Sequence, residues 1–187
     1  MISRFTEYLV EEQKEIFFAF GRMNPPTIGH EKLIEKLSKT AGSNAYRVYL
    51  SQSTDPKSNP LPYKEKIKTA RRMFPRHARG IILNNKLKTF LEVATSLYNE
   101  GHQRVTMVAG SDRVIEFKTL LETYNGKKSR HGFYNFRSIN VVSAGQRDPD
   151  SEGVAGMSAS KMRESAGDND FRTFTQGLPR SFSNKNS

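Results

Sequence analysis

The residues in this sequence that are best suited to chemistry follow an apolar run near the amino terminus. The five apolar residues 16–20 predict a strand buried on both faces, and helical spacing of apolar residues begins after Thr27. Gly29 and His30 therefore fall in the first turn of a helix, where unpaired N–H groups attract anions. Glycine lets a phosphate approach the backbone, while Thr27, His30 and Arg22 add donors and a fixed cation. The pattern predicts a phosphate-binding turn.

The spacing within this turn favours the phosphate-binding hypothesis over a simpler one. A Gly-His pair alone is more often an ordinary strand-to-helix turn with one surface histidine, because such short motifs occur by chance. Here a glycine ends the strand, prolines keep the connection extended, and a threonine suited to helix capping follows. The combined arrangement is much more specific than the pair, and it comprises Gly21, Pro25, Thr27, Gly29 and His30.

A second turn of this kind is predicted close to the carboxyl end. Gly156 precedes Ser158 and Ser160 at the start of a predicted helix, and Arg163 lies one turn further along. Hydroxyl groups and backbone amides at a helix N-terminus, with an arginine beside them, can bind phosphate groups. Taken alone, the segment is an ordinary capped helix. Its place after five strands and behind the first turn supports the phosphate-binding interpretation.

Strands and helices alternate between the two turns. Short apolar runs predict five strands, at residues 16–20, 46–50, 81–83, 105–109 and 139–142. Apolar residues at helical spacing predict helices after the first four, near residues 28–40, 63–74, 89–99 and from 114 onward. Residues 164–178 predict a short helix pair in which Phe171 and Phe174 pack back onto the domain.

The two turns resemble the signatures of a known family. Residues 21–30 resemble the Gly-x-x-x-Pro-x-(His/Thr)-x-Gly-His signature of the nucleotidyltransferase superfamily. That superfamily includes nicotinamide-mononucleotide and phosphopantetheine adenylyltransferases and the small cytidylyltransferases. Residues 157–163 resemble its second signature, Ile-Ser-Ser-Thr-x-Ile-Arg, with Met157, Ala159 and Met162 as departures, and Ala159 removes one hydroxyl. The resemblance covers residues 16–178.

This resemblance implies an α/β fold with a Rossmann-like, doubly wound, five-stranded parallel sheet of strand order 3-2-1-4-5. In such a sheet strands 1 and 4 flank the switch point, and ligands bind at their carboxyl ends, here Gly21 and Gly110. Gly110-Ser111-Asp112 resembles the Gly-x-Asp of many adenylyltransferases, which implies that Asp112 faces the ribose, the acceptor or a metal. Asp112 is locally at least as well suited to cap the following helix, and the two roles can coexist.

The resemblance also implies roles for individual residues. The implied catalytic residues are His30, Thr27 and Arg163. The implied nucleotide-binding residues are Phe20, Gly21, Arg22, Gly29, His30, Gly156, Met157, Ser158, Ser160 and Arg163. The implied acceptor-binding residues are Asp112, Gly110 and Lys64, with Lys57 and Lys66 as alternatives to Lys64. Mg²⁺ is expected as a cofactor bound mainly through the nucleotide phosphates, without a dedicated set of protein ligands.

The predicted activity is transfer of a nucleotidyl group from a nucleoside triphosphate to a phosphorylated small-molecule acceptor, with release of pyrophosphate. The Gly-Arg opening and the Gly-x-Asp resemble nicotinamide-mononucleotide adenylyltransferases, which favours an adenylyl group. Those enzymes commonly stack a tryptophan on the nicotinamide, and this chain has no tryptophan, so a cytidylyltransferase is the alternative. Class I aminoacyl-tRNA synthetases share the Gly-His motif, but 187 residues leave no room for an anticodon-binding domain.

The charge of the chain supports a third possibility. With 30 Lys and Arg against 19 Asp and Glu, the formal net charge is +11, which predicts a polyanionic partner, either nucleic acid or a phosphorylated small molecule. A catalytically inactive, nucleic-acid-binding or virion-packaged protein of this fold is therefore a rival hypothesis. Residues 124–137 interleave basic and aromatic side chains, a combination that can bind nucleic acid but is more commonly a solvated excursion.

Three segments are predicted: an amphipathic stretch at 1–15, the nucleotidyltransferase domain at 16–178 and a disordered tail at 179–187. Residues 1–11 resemble the packaging peptides of internal head proteins in large tailed phages, which are cut after a tripeptide such as Leu9-Val10-Glu11. The absence of cysteine, of a signal-peptide pattern and of a membrane-spanning run predicts a cytoplasmic protein with no membrane partner. For a phage protein, that means the host cytoplasm or the virion interior.

Overall fold

The computed structural model describes residues 15–145, 157–179 and 182, which form a five-stranded sheet flanked by helices. The strands are β1 (Glu15–Gly21), β2 (Tyr46–Leu50), β3 (Ile81–Ile82), β4 (Arg104–Ala109) and β5 (Ser138–Ser143). All neighbouring strands are parallel, and their order is β3-β2-β1-β4-β5. The predicted α/β fold with strand order 3-2-1-4-5 is therefore confirmed.

Helices cover both faces of the sheet. The α-helices of the described residues are α1 (Ile28–Ala41), α2 (Tyr63–Met73), α3 (Phe90–Asn99), α4 (Val114–Tyr124), α5 (Ala159–Gly167) and α6 (Phe171–Gln176). In the central strand β1, Ile16 and Phe18 pack with α3 and α4, whereas Phe17 and Ala19 pack with α1 and α2. Since successive side chains of a strand point to opposite faces, one continuous apolar run serves both cores.

Helix α1 follows β1 because its apolar residues match a helical period. Ile34, Leu37 and Ala41 are buried and face the sheet together. The helix begins at the N-cap Thr27, whose backbone is extended, and it ends at Gly42, where φ is +60°. A residue other than glycine would be strained in that left-handed conformation. The sequence therefore fixes both ends of the helix that follows the first turn.

Two local predictions differ from the structure. Strand β3 ends at Ile82, and Leu83 is 46% exposed, because β3 is an edge strand that pairs with β2 through only two residues. The prediction that Phe171 packs back onto the domain is wrong, since its side chain is 73% exposed, whereas Phe174 is half-buried. A six-residue helix turns only a narrow face to its neighbours, and Phe171 at its first position lies outside that face.

The predicted terminal segments lie largely outside the described residues. These include the amphipathic stretch with its Leu9-Val10-Glu11 tripeptide and most of the predicted tail, and both stay predictions. Phe182 is described, and it packs against the core shared by α1 and α2 with the Arg72 guanidinium 5.7 Å from its ring centre. Within the part of the chain that the structure describes, no helix has the length and apolar character needed to cross a membrane.

Candidate functional site

The site lies at the carboxyl edge of the sheet, where β1 and β4 end side by side. These strands are parallel neighbours, with Phe18 opposite Met107, so the residues that follow each of them emerge at the same edge. The turn that joins β1 to α1 comprises residues 22–27, and we call this turn with the first residues of α1 the first turn. Residues 157–163, at the start of α5, form the second turn.

The first turn is locked by its own histidine. The Nδ1 atom of His30 lies 3.0 Å from the backbone nitrogen of Thr27 and 2.9 Å from the Thr27 hydroxyl oxygen. His30 is only 6% exposed and Thr27 only 3%. The imidazole therefore packs into the helix cap as a fixed group, and the simpler interpretation of a surface histidine does not apply.

This contact sets the proton position on the imidazole ring of His30. A backbone N–H can only donate, so the Nδ1 atom of His30 accepts from Thr27 and carries no proton. In the neutral ring the proton then lies on Nε2. The cap thus orients an N–H donor on the side of the ring away from Thr27. Preorganised donors of this kind can stabilise negative charge that develops on a phosphate oxygen.

Gly29 is exposed at the N-terminus of α1. A Cβ atom built at this position would lie 3.5 Å from the Thr27 hydroxyl oxygen, an ordinary van der Waals distance, and the glycine does not have a left-handed φ. The protein itself therefore does not require glycine here. A ligand that approaches the helix terminus closely would explain why this position has no side chain.

Asn24 links three segments of the site, and sequence reasoning missed it. Its side chain is 2% exposed; Oδ1 accepts from the backbone of Leu61 at 3.1 Å, and Nδ2 donates to the Leu61 carbonyl at 3.3 Å. Its own carbonyl accepts from Nη1 of Arg163 at 2.6 Å. Asparagine next to proline is common in ordinary turns, so the sequence alone offered no signal for this role.

The second turn is joined to the first through Arg163. Ser158 is the N-cap of α5, and its hydroxyl accepts from the backbone of Lys161 at 3.2 Å. The Arg163 guanidinium donates to the Ser160 hydroxyl at 3.0 Å and to the Asn24 carbonyl, 139 residues away in sequence. The structure thus brings together the two turns that sequence analysis predicted as phosphate-binding. Gly156 lies outside the described residues.

Gly177, which follows α6, also connects the turns. Its carbonyl accepts from the backbone of Ile28, the first residue of α1, at 3.0 Å. A Cβ atom at Gly177 would lie 2.5 Å from Sδ of Met162 and 2.6 Å from Cγ of Met157. The buried methionines of the second turn therefore pack directly on this glycine, which sequence analysis also missed because nothing in residues 176–178 resembles a motif.

A buried lysine lies behind the first turn. Lys66 is completely buried, and its ammonium group donates to the carbonyls of Ser51 and Ser53. Ser51 in turn donates its backbone N–H to the last carbonyl of β1 at 2.9 Å. Burial, and secondarily the positive charge of Arg22, lower the pKa of Lys66 to about 8.

The other candidate cations of this edge are exposed. Arg22 follows β1 and is exposed, as are Lys64 and Lys57. Of the three lysines that sequence analysis considered, Lys66 is the one that the structure holds at the strand ends. The assignment of Lys64 to acceptor binding stays a prediction.

At the exit of β4, Asp112 is exposed and its carboxylate turns back toward Gly110. A Cβ atom on Gly110 would lie 2.8 Å from Oδ1 of Asp112. Asp112 caps neither helix that follows, because Gly110 is the N-cap of the short 3₁₀ helix Ser111–Arg113 and Arg113 is that of α4. The capping alternative is therefore wrong, and the carboxylate lies at the same sheet edge as the first turn.

Two half-buried aromatic rings, with a buried third ring behind them, lie on the α3 and α4 side of this edge. Phe20 at the end of β1 and Phe90 at the start of α3 have ring centres 6.3 Å apart, and Phe90 and Phe117 are 4.7 Å apart. The Arg113 guanidinium lies 4.9 Å from the Phe117 ring centre. Sequence analysis assigned Phe20 to this region but gave no role to Phe90 or Phe117.

The chemistry of the side chains suits a metal ion that arrives with a nucleotide. Among the described residues no group of three or more His, Cys, Asp or Glu side chains could hold a metal ion. Mg²⁺ commonly keeps several water ligands and binds through one or two carboxylates together with substrate phosphates. Asp112, an exposed carboxylate at the same sheet edge as the first turn, is compatible with that mode.

Comparison with known proteins agrees with this architecture. No family model and no curated protein sequence matches the chain. Among solved structures, that of a "Putative Nicotinate-nucleotide Adenylyltransferase" from Vibrio parahaemolyticus matches 92% of this chain and 97% of its own, with a TM-score of 0.53 and 15% sequence identity. The two proteins share a fold. At this identity the match establishes the fold alone, so the roles of individual residues must be argued from the site.

Proposed function

We propose that this protein is a nucleotidyltransferase that transfers a nucleotidyl group, most simply adenylyl, from a nucleoside triphosphate to a phosphorylated small-molecule acceptor. The observation that carries the proposal is the joining of the two turns by Arg163 and the Asn24 carbonyl at 2.6 Å. Two helix N-termini, each suited to phosphate, thereby converge on one sheet edge. The structural neighbour named as an adenylyltransferase supports the same class of reaction.

In the proposed reaction an acceptor phosphate oxygen attacks the α-phosphorus in line, the bond from that phosphorus to the bridging oxygen breaks, and pyrophosphate leaves. No covalent intermediate with the protein forms, so catalysis rests on positioning and charge stabilisation. The Nε2–H of His30 would donate to an α-phosphate oxygen, and the Thr27 hydroxyl fixes the ring that presents it. Gly29 leaves space for the phosphate at the helix terminus.

The leaving pyrophosphate would be held by the second turn and the nearby cations. Ser158, Ser160 and Arg163 offer two hydroxyls and a guanidinium, and Arg22 adds a charge from the first turn. Mg²⁺ bound through the phosphates would neutralise part of the charge that develops on the leaving group. The acceptor would lie toward β4, where Asp112 can accept hydrogen bonds from ribose hydroxyls.

Aromatic rings are the basis for preferring an acceptor that itself carries a ring. The half-buried rings of Phe20 and Phe90 form an apolar wall on the β4 side of the edge, with the buried Phe117 behind Phe90. Aromatic faces stack readily on planar groups. This wall would serve where a tryptophan is commonly found in nicotinamide-mononucleotide adenylyltransferases. A cytidylyltransferase is the alternative within the same reaction class.

Pyrophosphate release tests the proposal. Each of the four nucleoside triphosphates would be combined with Mg²⁺ and a panel of phosphorylated acceptors, with His30→Ala as the inactive control. Release with one pair, abolished in the variant, would establish the reaction and name both substrates. A folded protein that releases no pyrophosphate and shows no nucleotide-dependent rise in Tm would contradict the proposal.

Gly29→Ala sharpens this test because it separates binding from folding. The protein has room for the added methyl group, so Tm without ligand should not fall. The nucleotide-dependent rise in Tm should be reduced, since the methyl group would project toward the proposed phosphate. Gly167→Ala is the matched control, because its added methyl group meets nothing within 4 Å and lies on α5; it should leave the nucleotide response intact.

A further inference from the structure

Residues 125–137, which we call the 125–137 loop, carry positive charge that the candidate site does not use. The loop contains four Lys and Arg residues and one histidine but no Asp or Glu. These basic residues are Lys127, Lys128, Arg130, His131 and Arg137. The loop leads from the end of α4 into β5, and the backbone of Arg137 donates to Gln103, just before β4, at 2.9 Å. It therefore enters the sheet at the amino edge, opposite the edge that holds the two turns.

Specific contacts hold the loop in one shape. The backbone of Gly126 donates to Tyr134 at 2.8 Å, and Asn125 exchanges two hydrogen bonds with the backbone of Phe136, at 2.8 and 3.1 Å. Tyr134 is buried, and its hydroxyl donates to the Leu121 carbonyl in α4 at 2.8 Å. The base of the loop is thus closed by hydrogen bonds and a buried ring, unlike a solvated excursion.

The tip of the loop is fixed to α3. The Thr95 hydroxyl donates to the His131 carbonyl at 2.8 Å. Gly132 has φ +99°, and a Cβ atom there would lie 2.5 Å from Cγ2 of Thr95, so no other residue fits without movement. Ser129 and Gly132 exchange backbone hydrogen bonds at 3.0 Å. The basic side chains therefore project from a rigid support.

Three of these cations, Lys127, Lys128 and Arg130, form no ion pair with a described residue, although Arg130 donates to the His131 ring at 3.2 Å. No carboxylate of the residues that the structure places lies within 4.0 Å of the charged groups of Lys127, Lys128 or Arg130. The acidic residue next before the loop, Glu122, is paired with Lys118 at 3.9 Å. Exposed cations that converge on one short loop create a local positive potential that attracts polyanions.

An aromatic ring is held among these cations. Phe133 is 41% exposed, and it meets the ring of Tyr98 edge-on, with centres 6.0 Å apart and an interplanar angle of 82°. Tyr98 is in turn held edge-on by Phe136, 5.5 Å away. Phe133 is thus anchored on one side and open to solvent on another. An open ring beside cations suits a nucleobase, since stacking and phosphate contacts together bind single strands.

From these contacts we propose that the 125–137 loop binds single-stranded nucleic acid, with Lys127, Lys128 and Arg130 on the phosphates and Phe133 stacked on a base. An anionic membrane suits the surface less well, because one partly exposed ring buries little apolar area. The other exposed large apolar residues that the structure describes, Leu83, Ile115 and Phe171, are not in the loop. A duplex suits it less well too, since its bases are already stacked. The proposal is independent of the reaction at the opposite edge.

Fluorescence anisotropy tests it with labelled single-stranded RNA and DNA of about 20 nucleotides, a span of one or more typical binding sites. The dissociation constant of the full chain would be measured at several KCl concentrations from about 50 to 200 mM, because phosphate contacts make affinity fall as salt rises. A duplex of the same sequence and vesicles containing phosphatidylserine would be titrated alongside. We expect the single strands to bind best, with an affinity that falls steeply with salt.

A charge-matched pair of variants locates the binding. The triple variant K127Q/K128Q/R130Q should weaken single-strand binding at least tenfold. The salt slope, which is the slope of log affinity against log salt concentration, should become less steep by about 2, at about 0.7 per lost phosphate contact. The control K32Q/K36Q/K39Q removes the same charge from exposed positions of α1, on the other face of the sheet. This control should change the affinity for single strands less than about twofold, because distant charges are largely screened by salt.

Phe133→Leu tests the stacking. Leucine keeps apolar contact with Tyr98 but removes the ring, so affinity should fall about fivefold or more at an unchanged salt slope. Phe171→Leu, at a more exposed phenylalanine on α6, should have no effect. Equal losses in the two triple variants, tighter binding to duplex or to vesicles than to single strands, or no binding at the lowest salt with the native Tm retained, would each overturn the proposal.

Discussion

The two turns of the candidate site are held in place in different ways. In the first turn, His30 bonds to the cap residue three positions earlier, and both residues are almost completely buried. In the second turn, Ser160 is exposed, and its position depends on Arg163, which is anchored to a carbonyl 139 residues away. His30 is therefore fixed by local contacts, and Arg163 by a long-range contact. The segment around His30 also has long-range hydrogen bonds, through Asn24 and Ile28.

In the proposed reaction, this difference would separate two tasks. A side chain locked to its own cap residue, as His30 is, keeps its place on α1 whenever that helix is formed, which suits a group that must be preorganised for the transition state. A side chain held by a distant contact, as Arg163 is, can adjust when that contact changes, which suits the binding of flexible phosphates. We therefore expect changes in the first turn to lower kcat, and changes in the second turn to raise the KM for the nucleotide.

The largest effect is expected for His30→Ala. Loss of the oriented Nε2–H should lower kcat by about a hundred- to ten-thousand-fold, the usual range for a group that acts on the transition state. The KM for the triphosphate should change little. Steady-state pyrophosphate release would measure both constants, and a rise in KM at unchanged kcat would assign His30 to binding and break the proposed division.

Arg163→Lys should have the next largest effect. A lysine cannot bond to the Asn24 carbonyl and the Ser160 hydroxyl together, so the hydrogen-bonded connection between the two turns is lost. The KM for the triphosphate should rise about tenfold or more, which corresponds to the binding free energy of one charge-assisted hydrogen bond. The kcat should change less. Arg172→Lys, at an exposed arginine of α6, is the matched control. A fall in kcat as large as that of His30→Ala would show that both turns act on the transition state.

Gly177→Ala should act on stability. The added methyl group would overlap the Met157 and Met162 side chains, and overpacking of this kind typically costs about 1–3 kcal/mol of unfolding free energy. Because the glycine also bonds to the start of α1, the variant should loosen the second turn against the first. Urea unfolding would give the free energy, with Gly167→Ala expected to stay within about 0.5 kcal/mol of the native chain. Equal values for the two variants would mean that the contact between the turns adjusts freely.

The same contrast explains what could be predicted from the sequence. Period and burial follow from local apolar spacing, so the strands and the first turn were predictable from residues close together in the chain. The strand order was not, and it was predicted from the resemblance to a known family. Asn24 and Gly177 were not, because their roles come from partners 37 to 149 positions away, Leu61 for Asn24 and Ile28 for Gly177. The choice among Lys57, Lys64 and Lys66 needed the structure, since all three are close in sequence and only Lys66 is buried.

For Asn24 and Gly177 the sequence showed no sign of a contact that exists, whereas for Phe171 it predicted a contact that the structure does not contain. An apolar residue near a helix was expected to pack, but the helix is only six residues long and leaves that position in solvent. Exposure of this kind depends on how a short helix is rotated against its neighbours. Local periodicity cannot supply that angle over so few residues.

The smallest effect concerns the charge behind the first turn. The pKa of Lys66 is lowered to about 8 in the folded protein from 10.5, so between these pH values the folded chain binds fewer protons than the unfolded chain. The contribution of Lys66 to unfolding free energy should therefore rise with pH from about 8 to 10.5, by at most about 1.4 kcal/mol per pH unit, and the full cost of burying the charge is present below pH 8.

Lys66→Met isolates this slope, because the methionine does not titrate. Burial raises the pKa of Tyr49, which acts in the opposite direction at high pH, but that tyrosine is present in both proteins and cancels in their difference. Urea unfolding across this pH window should give a native-minus-variant difference that increases with pH, whereas Lys64→Met, at an exposed neighbour, should give a flat difference. A flat difference for Lys66→Met as well would mean that Lys66 keeps its proton throughout, and that the first turn is backed by a permanent positive charge.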